Sequence, residues 1–532
     1  MRATYRSVAF AAAAVLASTV LVGAAGAPAL GATPQGDAAK ASIAGTGVAT
    51  ASTVNVSSLA GKADTPPGAA AVTPQRRGTA VLPARPTVGT RPALPAASGV
   101  PGGPNTNAGA PVVRPFVAPP VVNNFEGIGN AVACGCQPPD VNAAVGISQI
   151  VETVNLRLQV FTKTGLQACA GVSLNSFLGT SDSLSDPRVQ YDNVNGRYSF
   201  SVTVIPASAS ATPAIWVAAS QTSNACGGWF RFRIGFSGGS FPAGTLLDYP
   251  ILGQDRNALL IATDNFTPTS ENFTVFGLPK SAVYSGAGFS FGAFNTASLV
   301  APASNGGIPM IATPFSYFLG AVPGVGYRLY RLTNSGGPGA TLTLQATVSS
   351  PFSPPTRRVN QPGTATTLDP LDGRIVWSPV NDGNFIWFAH GVDVSGFPSV
   401  RYGAISIASN TPFVAVAFHS NTSDDFNPSV GVGSSPGGGN FIYLNWAYTD
   451  TPIGVATSDT VDSVAPGGGV PNLIGTGVVI ASGASTNQFR FGDYSSSTID
   501  PTNANGSCAL VAQQLFDASG LWRTRIARVG TC

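Results

Sequence analysis

The stretch DYPILGQD at residues 248–255 shows the pattern that decides the fold: an aspartate at a predicted turn, a short apolar strand, and a second aspartate after it. Similar stretches recur along the chain at intervals of 46 to 66 residues. Their first residues are Asp140, Asp186, Asp248, Asn305, Asp369, Asn427 and Asp493, of which Asn305 opens the weakest match. Seven units of about 60 residues each suit four short strands with their loops, the size of one propeller blade.

Between these stretches, apolar and polar residues alternate over short runs, as in residues 154–160 and 198–204. Period two predicts strands with one buried face, and clusters of Gly, Pro, Asn, Asp and Ser separate the runs. The sequence therefore predicts an all-β fold in which residues 118–532 form a single β-propeller of seven blades, with six or eight as alternatives. Two β-sandwich domains are the main structural alternative, but a sandwich would not need a strand-start aspartate at this interval.

Residues 1–32 have the order of a secretory signal peptide. Arg2 and Arg6 precede an apolar run, and small residues follow up to Ala32, near which we expect cleavage. The apolar run of about 15 residues is shorter than the roughly 20 that a membrane span needs. We therefore expect a secreted, extracellular protein, with cell-wall association as a further option and no transmembrane segment in the mature chain.

Residues 33–117 predict a disordered linker. They are rich in Ala, Pro, Thr and Gly, and they contain no aromatic residue before Phe116. Such a segment buries too little apolar surface to offset the entropy of ordering it. We expect it to be exposed and dispensable for folding, and a spacer that threads the cell wall is its functional alternative.

The charge distribution excludes one class of partner. Residues 1–115 hold nine of the 27 basic and two of the 24 acidic residues, so the remainder has a net charge of −4. Phosphate binding needs a basic face, and we therefore expect no nucleic-acid partner. The expected assembly state is a monomer.

The recurring aspartates are the first candidates for a site, because the innermost strand of each blade begins beside the axial channel. These aspartates are Asp140, Asp186, Asp248, Asp369 and Asp493. In the first interpretation they bind backbone N–H groups at turns. In the functional interpretation they bind a polar ligand together with Arg188, or a calcium ion at Asp140, Asp248 and Asp493.

Catalysis is the third use that these side chains could have. Two carboxylates about 5–9 Å apart can hydrolyse a glycosidic bond, which makes Asp186 and Asp493 candidates. Arg490 could hold an anionic ligand or pair with an aspartate. His390 is one of only two histidines in the chain, and neither has the spacing of a metal ligand. His390 is therefore a candidate catalytic residue or a structural one.

Six cysteines in an exported chain predict disulfide bonds. Cys508 and Cys532 flank a predicted hairpin of matched strands, whose ends would meet at the roughly 4.4–6.8 Å Cα separation of a disulfide. The other four are Cys134, Cys136, Cys169 and Cys226, which we expect to form two further bridges of open connectivity. Cys134 and Cys136 could instead bind a soft metal ion, but the remaining two give no matching second pair.

Several motifs resemble a family of large secreted, uncharacterised bacterial proteins with β-propeller, sialidase-like sequence character. They include DPRVQYDNVNGRYSF (186–200), LLDYPILGQD (246–255), TLDPLDGRIVW (367–377) and RFGDYSSSTIDP (490–501). The resemblance covers almost all of 118–532 in order, and it implies a secreted propeller but no activity. The Ser-x-Asp-x-Gly-x-x-Trp signature of sialidases is absent from the chain, which argues against their chemistry.

Two classes of function follow from these observations. The first is a non-catalytic binding or cell-surface module whose partner is an extracellular glycan or a cell-wall component. Only 51 of 532 residues are charged, and no catalytic constellation is recognisable, which favours this class. The alternative is a polysaccharide-active hydrolase or lyase that uses Asp residues at the propeller funnel. Calcium is the one cofactor that the sequence suggests.

Overall fold

The computed structural model describes residues 43–59, 90–91, 118–435, 439–464, 473–474, 477–504 and 506–532. The predicted signal peptide, residues 1–32, and most of the predicted linker lie outside these ranges. Among the residues described, no helix is long and apolar enough to cross a membrane.

Strands dominate the structure from the first described residue to the last. Those of the first half are β1 (Ile43–Asn55), β2 (Val121–Gly129), β3 (Asn142–Val145), β4 (Gln149–Val154), β5 (Arg157–Thr162), β6 (Gln167–Ser173), β7 (Ser183–Asp192), β8 (Arg197–Ile205), β9 (Ala214–Ser220), β10 (Gly228–Ser237), β11 (Leu246–Gln254), β12 (Ala258–Phe266), β13 (Glu271–Pro279) and β14 (Phe289–Thr296). Those of the second half are β15 (Ala301–Pro302), β16 (Ser304–Asn305), β17 (Phe315–Val322), β18 (Gly326–Thr333), β19 (Thr341–Ser349), β20 (Val380–Asn381), β21 (Phe385–Val394), β22 (Phe397–Ser406), β23 (Pro412–Phe418), β24 (Asp424–Ser435), β25 (Gly439–Asp450), β26 (Val455–Val464), β27 (Leu473–Ile474), β28 (Val478–Ser482), β29 (Ser496–Ile499), β30 (Cys508–Phe516) and β31 (Trp522–Gly530).

Helices in the described ranges are short. The two α-helices are α1 (Leu174–Leu178) and α2 (Lys280–Val283), and the three 3-10 helices span Val56–Leu59, Asn130–Val132 and Thr451–Ile453. Each lies in a connection between strands or at a strand end, and α1 adds Leu174, Phe177 and Leu178 to a core otherwise built by the sheets.

The strands of the described residues form seven four-stranded antiparallel units, numbered here in chain order. Unit 1 contains β3 to β6, unit 2 β7 to β10, unit 3 β11 to β14, unit 4 β15 and β17 to β19, unit 5 β20 to β23, unit 6 β24 to β26 and β28, and unit 7 β29 to β31 with β2. The first strands of successive units contact one another, and β29 contacts β3. Between units 4 and 5 this contact is made by β16, which directly follows β15. The order closes on itself, and the predicted all-β propeller fold is confirmed.

Unit 7 joins the two ends of the ring. Its outer strand, β2, comes from the N-terminal side of the ring and pairs antiparallel with β31. Its other three strands come from the C-terminal end of the chain. The ring is therefore held closed by backbone hydrogen bonds between residues about 400 positions apart in sequence.

Large aromatic side chains fill the space within and between the sheets. The indole rings of four tryptophans are almost completely buried, and each N–H donates a hydrogen bond to a protein oxygen. These tryptophans are Trp229, Trp387, Trp446 and Trp522. Burying an aromatic ring with its polar atom satisfied gives a large apolar gain without the cost of an unmet donor.

β1 corrects the prediction of a disordered linker over residues 33–117. It lies between β10 and β14, antiparallel to both, and joins units 2 and 3 into one nine-stranded sheet. Ala49 faces the core, and Gly47 packs so closely on Phe291 that a Cβ there would lie 2.3 Å from the ring. Disorder is therefore wrong for 43–59, where backbone pairing on both edges replaces the missing apolar side chains.

A second correction concerns the stretch at Asp369, for which the sequence predicts a strand. Residues 350–379 contain only an isolated bridge between Val359 and Leu368, and unit 5 begins later, at β20. Pro370 and the left-handed Leu371 interrupt regular pairing directly after Asp369. The predicted unit at Asn305 is also displaced. Asn305 lies in β16, whereas the first strand of unit 4 is β15.

Three disulfide bonds are present in the structure. Cys508 and Cys532 form the predicted bridge across the last hairpin, with a Cα–Cα distance of 4.8 Å. The other two bridges pair Cys134 with Cys136 and Cys169 with Cys226, which gives the connectivity that the sequence left open. The second of these links unit 1 to the loop that leads into β10.

Candidate functional site

The first strands of several units share a bulge near their start. Asp186, Tyr249 and Asn427 have positive φ angles of 63°, 51° and 51°, and each directly precedes a proline. The pairing with the second strand of the unit shifts at each of these positions. The left-handed backbone redirects the chain toward the axis, which is a known use of bulges. The sequence pattern places Asp248 at the position equivalent to Asp186. In the structure the equivalent residue is Tyr249, one position later, because it has the left-handed backbone conformation.

Asp140 has the same left-handed conformation, with φ 52°, just before β3. One carboxylate oxygen, Oδ1, accepts the backbone N–H of Asp493 at 2.8 Å, and Oδ2 accepts the side-chain amide of Asn155 at 2.7 Å. Asp140 is completely buried. Its carboxyl therefore ties unit 1 to the residues that lead into unit 7.

Asp186 holds an equivalent place in unit 2. Its carboxyl accepts hydrogen bonds from the Ser185 hydroxyl at 2.5 Å and from the Tyr494 hydroxyl. The Arg188 guanidinium lies 3.2 Å from the centroid of the Tyr494 ring, in cation–π contact. Asp186 therefore links unit 2 to the start of unit 7.

Asp493 completes this group, which we call the axial cluster: Asp140, Asp186, Arg188, Tyr249, Arg490, Asp493 and Tyr494. The carboxyl of Asp493 pairs with Arg490 and accepts the Tyr249 hydroxyl at 2.7 Å. The Tyr249 and Tyr494 rings lie edge to face at 5.2 Å. Side chains from the starts of four units thus meet at one end of the axis.

Burial and mutual repulsion set the protonation of the axial cluster. Burial is the largest cause that raises the pKa of Asp140 well above its ordinary value, followed by the charges of Asp493 and Asp186. Burial and the Asp493 charge also raise the pKa of Asp186. The Asp493 carboxylate raises the pKa of Arg490. The arrangement thus combines two carboxyls that favour the neutral form with one ion pair.

Not every predicted site residue reaches the axial cluster. Asp248 is buried next to Tyr249 at the same bulge. Asp369 is half-buried and accepts the backbone N–H of Leu371 at 3.0 Å, a local turn. Asp369 therefore has the capping role that the first interpretation gives to these aspartates.

His390 lies between units 4 and 5, among aromatic side chains. Its Nε2 is 3.1 Å from the Tyr327 hydroxyl, and its Nδ1 is 3.0 Å from the Gly391 carbonyl oxygen. Complete burial lowers the pKa of His390 to about 3. The imidazole is therefore neutral at physiological pH, and its partners are Tyr327 of β18 and Gly391 of its own strand, β21, rather than the axial cluster.

The described residues contain no group of three or more His, Cys, Asp or Glu side chains arranged to hold a metal ion. The carboxyls of Asp140 and Asp493 already accept hydrogen bonds from protein donors. Calcium at Asp140, Asp248 and Asp493 stays a prediction from the sequence.

A separate cavity, the axial cavity, lies farther along the first strands. Gln190 of β7 lines this cavity. It comes four residues after Asp186, which corresponds to about 13 Å along a strand. The space is about 110 Å³. Its polar lining consists of Gln190, Tyr191, Asn193, Gln254, Ser304, Asn305, Ser378, Ser497 and Thr498. No Asp, Glu, His, Lys, Arg or Cys is among its described lining residues.

Hydrogen bonds between units make the wall of the axial cavity rigid. Gln190 donates to the Ser378 hydroxyl at 3.1 Å and accepts from the Ser304 hydroxyl at 3.1 Å. Asn193 accepts the backbone N–H of Met310 at 2.8 Å. The Thr498 hydroxyl is buried without a hydrogen-bond partner in the described protein. A ligand hydroxyl is one group that could supply the missing partner.

Sequence reasoning missed the axial cavity because its residues are neutral and scattered. Gln190 and Thr498 lie within the motifs at 186–200 and 490–501, and Ser378 directly follows the motif at 367–377, but none of the three is a charged or metal-ligating residue type that marks a site. Four glycines also line the space and were the available signal: Gly306 and Gly307 directly after β16, and Gly431 and Gly433 within β24. They show where backbones approach closely, but not what they enclose.

Neither the known protein families nor the curated proteins include a sequence match to this chain. Solved structures match it weakly. An α-L-arabinanase from Penicillium chrysogenum complexed with arabinobiose is 10% identical, with a TM-score of 0.34, and covers 80% of this chain and 98% of its own. An exo-β-1,3-galactanase from Phanerochaete chrysosporium is 12% identical, with a TM-score of 0.29, and covers 67% and 98%. Drosophila Semaphorin 1b, extracellular domains 1–2, is 8% identical, with a TM-score of 0.30, and covers 78% and 88%. Such scores carry no information about activity.

Proposed function

We propose that this chain is an extracellular, non-catalytic binding module that holds a small, neutral, hydroxyl-rich ligand, such as the end of a glycan, in the axial cavity. The observation that carries the proposal is that the charged side chains of the axial cluster do not line the axial cavity. The carboxyls of Asp140, Asp186 and Asp493 lie in the buried axial cluster, whereas the described lining of the axial cavity consists of amides, hydroxyls, apolar side chains and backbone groups and contains no carboxylate.

The axial cluster favours a structural role because its carboxyl oxygens are occupied. Asp140, Asp186 and Asp493 each accept hydrogen bonds or ion pairs from groups of other units. Removing a buried carboxyl from such partners to receive a substrate would leave several donors unmet, which is expensive. We therefore assign these aspartates to holding units 1, 2, 3 and 7 together.

The axial cavity favours a neutral ligand because sugars are recognised by fixed amides and hydroxyls with an aromatic surface nearby. Tyr191 and Trp377 supply the aromatic surface, and Gln190, Asn193 and Thr498 supply polar groups. Three disulfide bonds are consistent with an extracellular protein. Secretion by the predicted signal peptide and membership of the secreted bacterial family remain parts of this proposal.

A glycan array followed by calorimetry tests the proposal on the full chain. Thr498→Val removes the unpaired hydroxyl without changing side-chain shape, and we expect a loss of affinity of about 3- to 10-fold. Ile308→Trp, which fills the cavity from its half-buried lining position, should abolish binding. The exposed Thr269→Val is the matched control and should bind as the wild type does. No binding to any glycan, or equal binding by Ile308→Trp, would overturn the proposal.

The alternative is a polysaccharide-active hydrolase or lyase that uses the axial cluster. One observation favours it. Asp140 and Asp186 have raised pKa values and lie beside the Arg490–Asp493 ion pair, so the cluster contains protonated carboxyls, which can act as a general acid, next to an ionised one, which can act as a base. Release of reducing ends or unsaturated sugars from a bound glycan, abolished by Asp493→Asn, would establish it. Binding without product release supports the non-catalytic module.

A further inference from the structure

Arg91, from the segment predicted to be a linker, lies in a closed pocket between units 5 and 6. Its side chain has no solvent-accessible surface, and neither does that of Asp425, with which it pairs at 3.0 Å. The same terminal nitrogen, Nη2, donates to the Pro398 carbonyl at 2.9 Å and the Ser399 hydroxyl at 3.0 Å. Nη1 donates to the Ser420 carbonyl at 2.6 Å.

Two phenyl rings complete the pocket. The Arg91 guanidinium carbon lies 4.2 Å from the Phe418 ring centroid and 4.8 Å from that of Phe397. A planar, delocalised cation stacks well on aromatic rings, and its fork of N–H groups reaches several acceptors at once. A lysine ammonium is neither planar nor delocalised, and it carries three N–H groups where a guanidinium carries five. The pocket is therefore shaped for a guanidinium in particular.

The groups that hold Asp425 belong to the propeller and do not depend on Arg91. Asp425 accepts the Trp446 indole N–H at 2.9 Å, the His419 backbone N–H at 2.7 Å and the Ser423 hydroxyl at 2.7 Å. The acidic end of the pocket is thus fixed by units 5 and 6 before any arginine enters. A fixed acceptor set lowers the cost of binding a cation there.

We propose that the pocket formed by Phe397, Ser399, Phe418, Ser420 and Asp425 is a guanidinium-recognition site, and that Arg91 is its ligand within the chain. The backbone N–H of Arg91 also donates to the Asn421 carbonyl at 2.9 Å, so the site engages peptide as well as side chain. The natural ligand class is an arginine carried on an extended peptide. Arg91 acts as a latch that fastens the N-terminal segment to the propeller.

This site is independent of the proposed glycan site. Asp425 and Ser420 lie at and just before the start of β24, the end of the first strands where the axial cluster also lies. The axial cavity is lined farther along the same strand, by Gly431, Val432 and Gly433. Loss of the latch should therefore leave glycan binding unchanged.

Chemical rescue tests the latch. Arg91→Ala empties the pocket and leaves Asp425 without its cation, so the melting temperature should fall. Methylguanidinium should then bind Arg91→Ala saturably in calorimetry, at least about tenfold more tightly than methylammonium, and raise its melting temperature. The wild type, whose pocket is filled, should show neither effect. Arg91→Ala with Asp425→Asn should lose the binding.

Arg233→Ala is the matched control, because Arg233 pairs with Asp182 on the surface and its side chain is 40% exposed. It should gain no methylguanidinium binding. Binding by Arg91→Ala no different from that of the wild type or of Arg233→Ala would overturn the proposal. If Arg91→Ala fails to fold, Arg91→Lys keeps the charge and tests the shape. A lower melting temperature for Arg91→Lys supports guanidinium recognition, and an unchanged one overturns it.

Discussion

At the scale of single residues, Glu152 on β4 is an acid placed in the protein interior. It is completely buried, and its Oε2 accepts the backbone N–H of Ile128 at 2.8 Å. Burial raises the pKa of Glu152 from 4.5 to about 7. Gly127 makes room for it, because a Cβ there would lie 2.5 Å from the carboxylate. The contact joins β4 of unit 1 to the closing strand β2.

The raised pKa of Glu152 predicts a specific dependence of stability on pH. Between pH 4.5 and about 7 the folded state keeps a proton that the unfolded state has lost, so the free energy of unfolding falls as pH rises. The fall is up to about 1.4 kcal/mol per pH unit. Glu152→Gln, which does not titrate, should equal the wild type near pH 4 and exceed it by about 3 kcal/mol at pH 8. Urea unfolding at both pH values measures this difference, and a less stable variant at pH 8 would contradict it.

The axial cluster gives a second prediction at this scale. Arg490→Met leaves the Asp493 carboxyl, only 6% exposed, without its cation, and should destabilise the protein by about 3 kcal/mol. Arg523→Met is the matched control. Arg523 pairs with Glu126 and Asp517, but it is 47% exposed and its ion pairs are screened by solvent, so its loss should destabilise the protein far less than the loss of Arg490. Equal losses in urea unfolding would show that the Arg490 pair is not structural.

Part of the axial cluster was predictable from residue types alone. Recurrence at blade length brings Asp140, Asp186 and Asp493 to one end of the axis, as the sequence indicates. Tyr249 and Tyr494 were not predictable as partners, because their hydroxyls reach carboxyls 244 and 308 residues away in sequence. The sequence pattern also could not show that Tyr249, and not Asp248, has the left-handed backbone conformation.

At the scale of elements, β1 shows why composition alone misjudges order. The strand has few large apolar side chains, which is the pattern of disorder. It is ordered by the exposed edges of β10 and β14, which lie about 180 and 240 residues later in the sequence. The composition of residues 43–55 cannot show that these edges are available for pairing. The regular strands of units 2 and 3, by contrast, are predictable because their own alternation specifies a buried face.

The pairing of β1 predicts that the N-terminal segment adds stability to the propeller. Ala49 is 3% exposed and packs in the cluster that contains Phe232 and Phe291, whereas its neighbour Val48 is 62% exposed. Ala49→Asp should therefore release β1 and lower the melting temperature by several degrees. Val48→Asp, the matched control, should change stability by no more than about 0.5 kcal/mol. Hydrogen exchange of the 46–55 amides should rise only in Ala49→Asp. Protection that persists there would show that Ala49 does not hold β1 in place, and fast exchange in the wild type would refute a packed β1.

At the scale of the whole molecule, closure of the ring depends on one strand. β2 pairs with β31, and Ile128 near its end is 2% exposed in the core between units 7 and 1. Without β2, the β31 edge would be unpaired and the two ends of the ring would lose the strand pairing that joins them. The start of the propeller domain at residue 118 stays a prediction from the sequence, and nothing in the sequence indicates that residues 121–129 complete the last unit.

Two shortened chains separate closure from the contacts of the N-terminal segment. Residues 118–532 keep β2 but lose β1 and Arg91, so this chain should fold and melt cooperatively at a temperature several degrees lower. Residues 130–532 also lose β2, which removes a buried strand and opens the ring, so this chain should lose its cooperative transition. The second chain retains all six cysteines and its three disulfide partners, so the difference cannot come from a missing bridge. Thermal melts followed by circular dichroism, with hydrogen exchange across β31, measure both effects.

A cooperative transition at the same temperature for the two chains would mean that the ring holds together through contacts between first strands alone, and that β2 is an accessory edge rather than its closure.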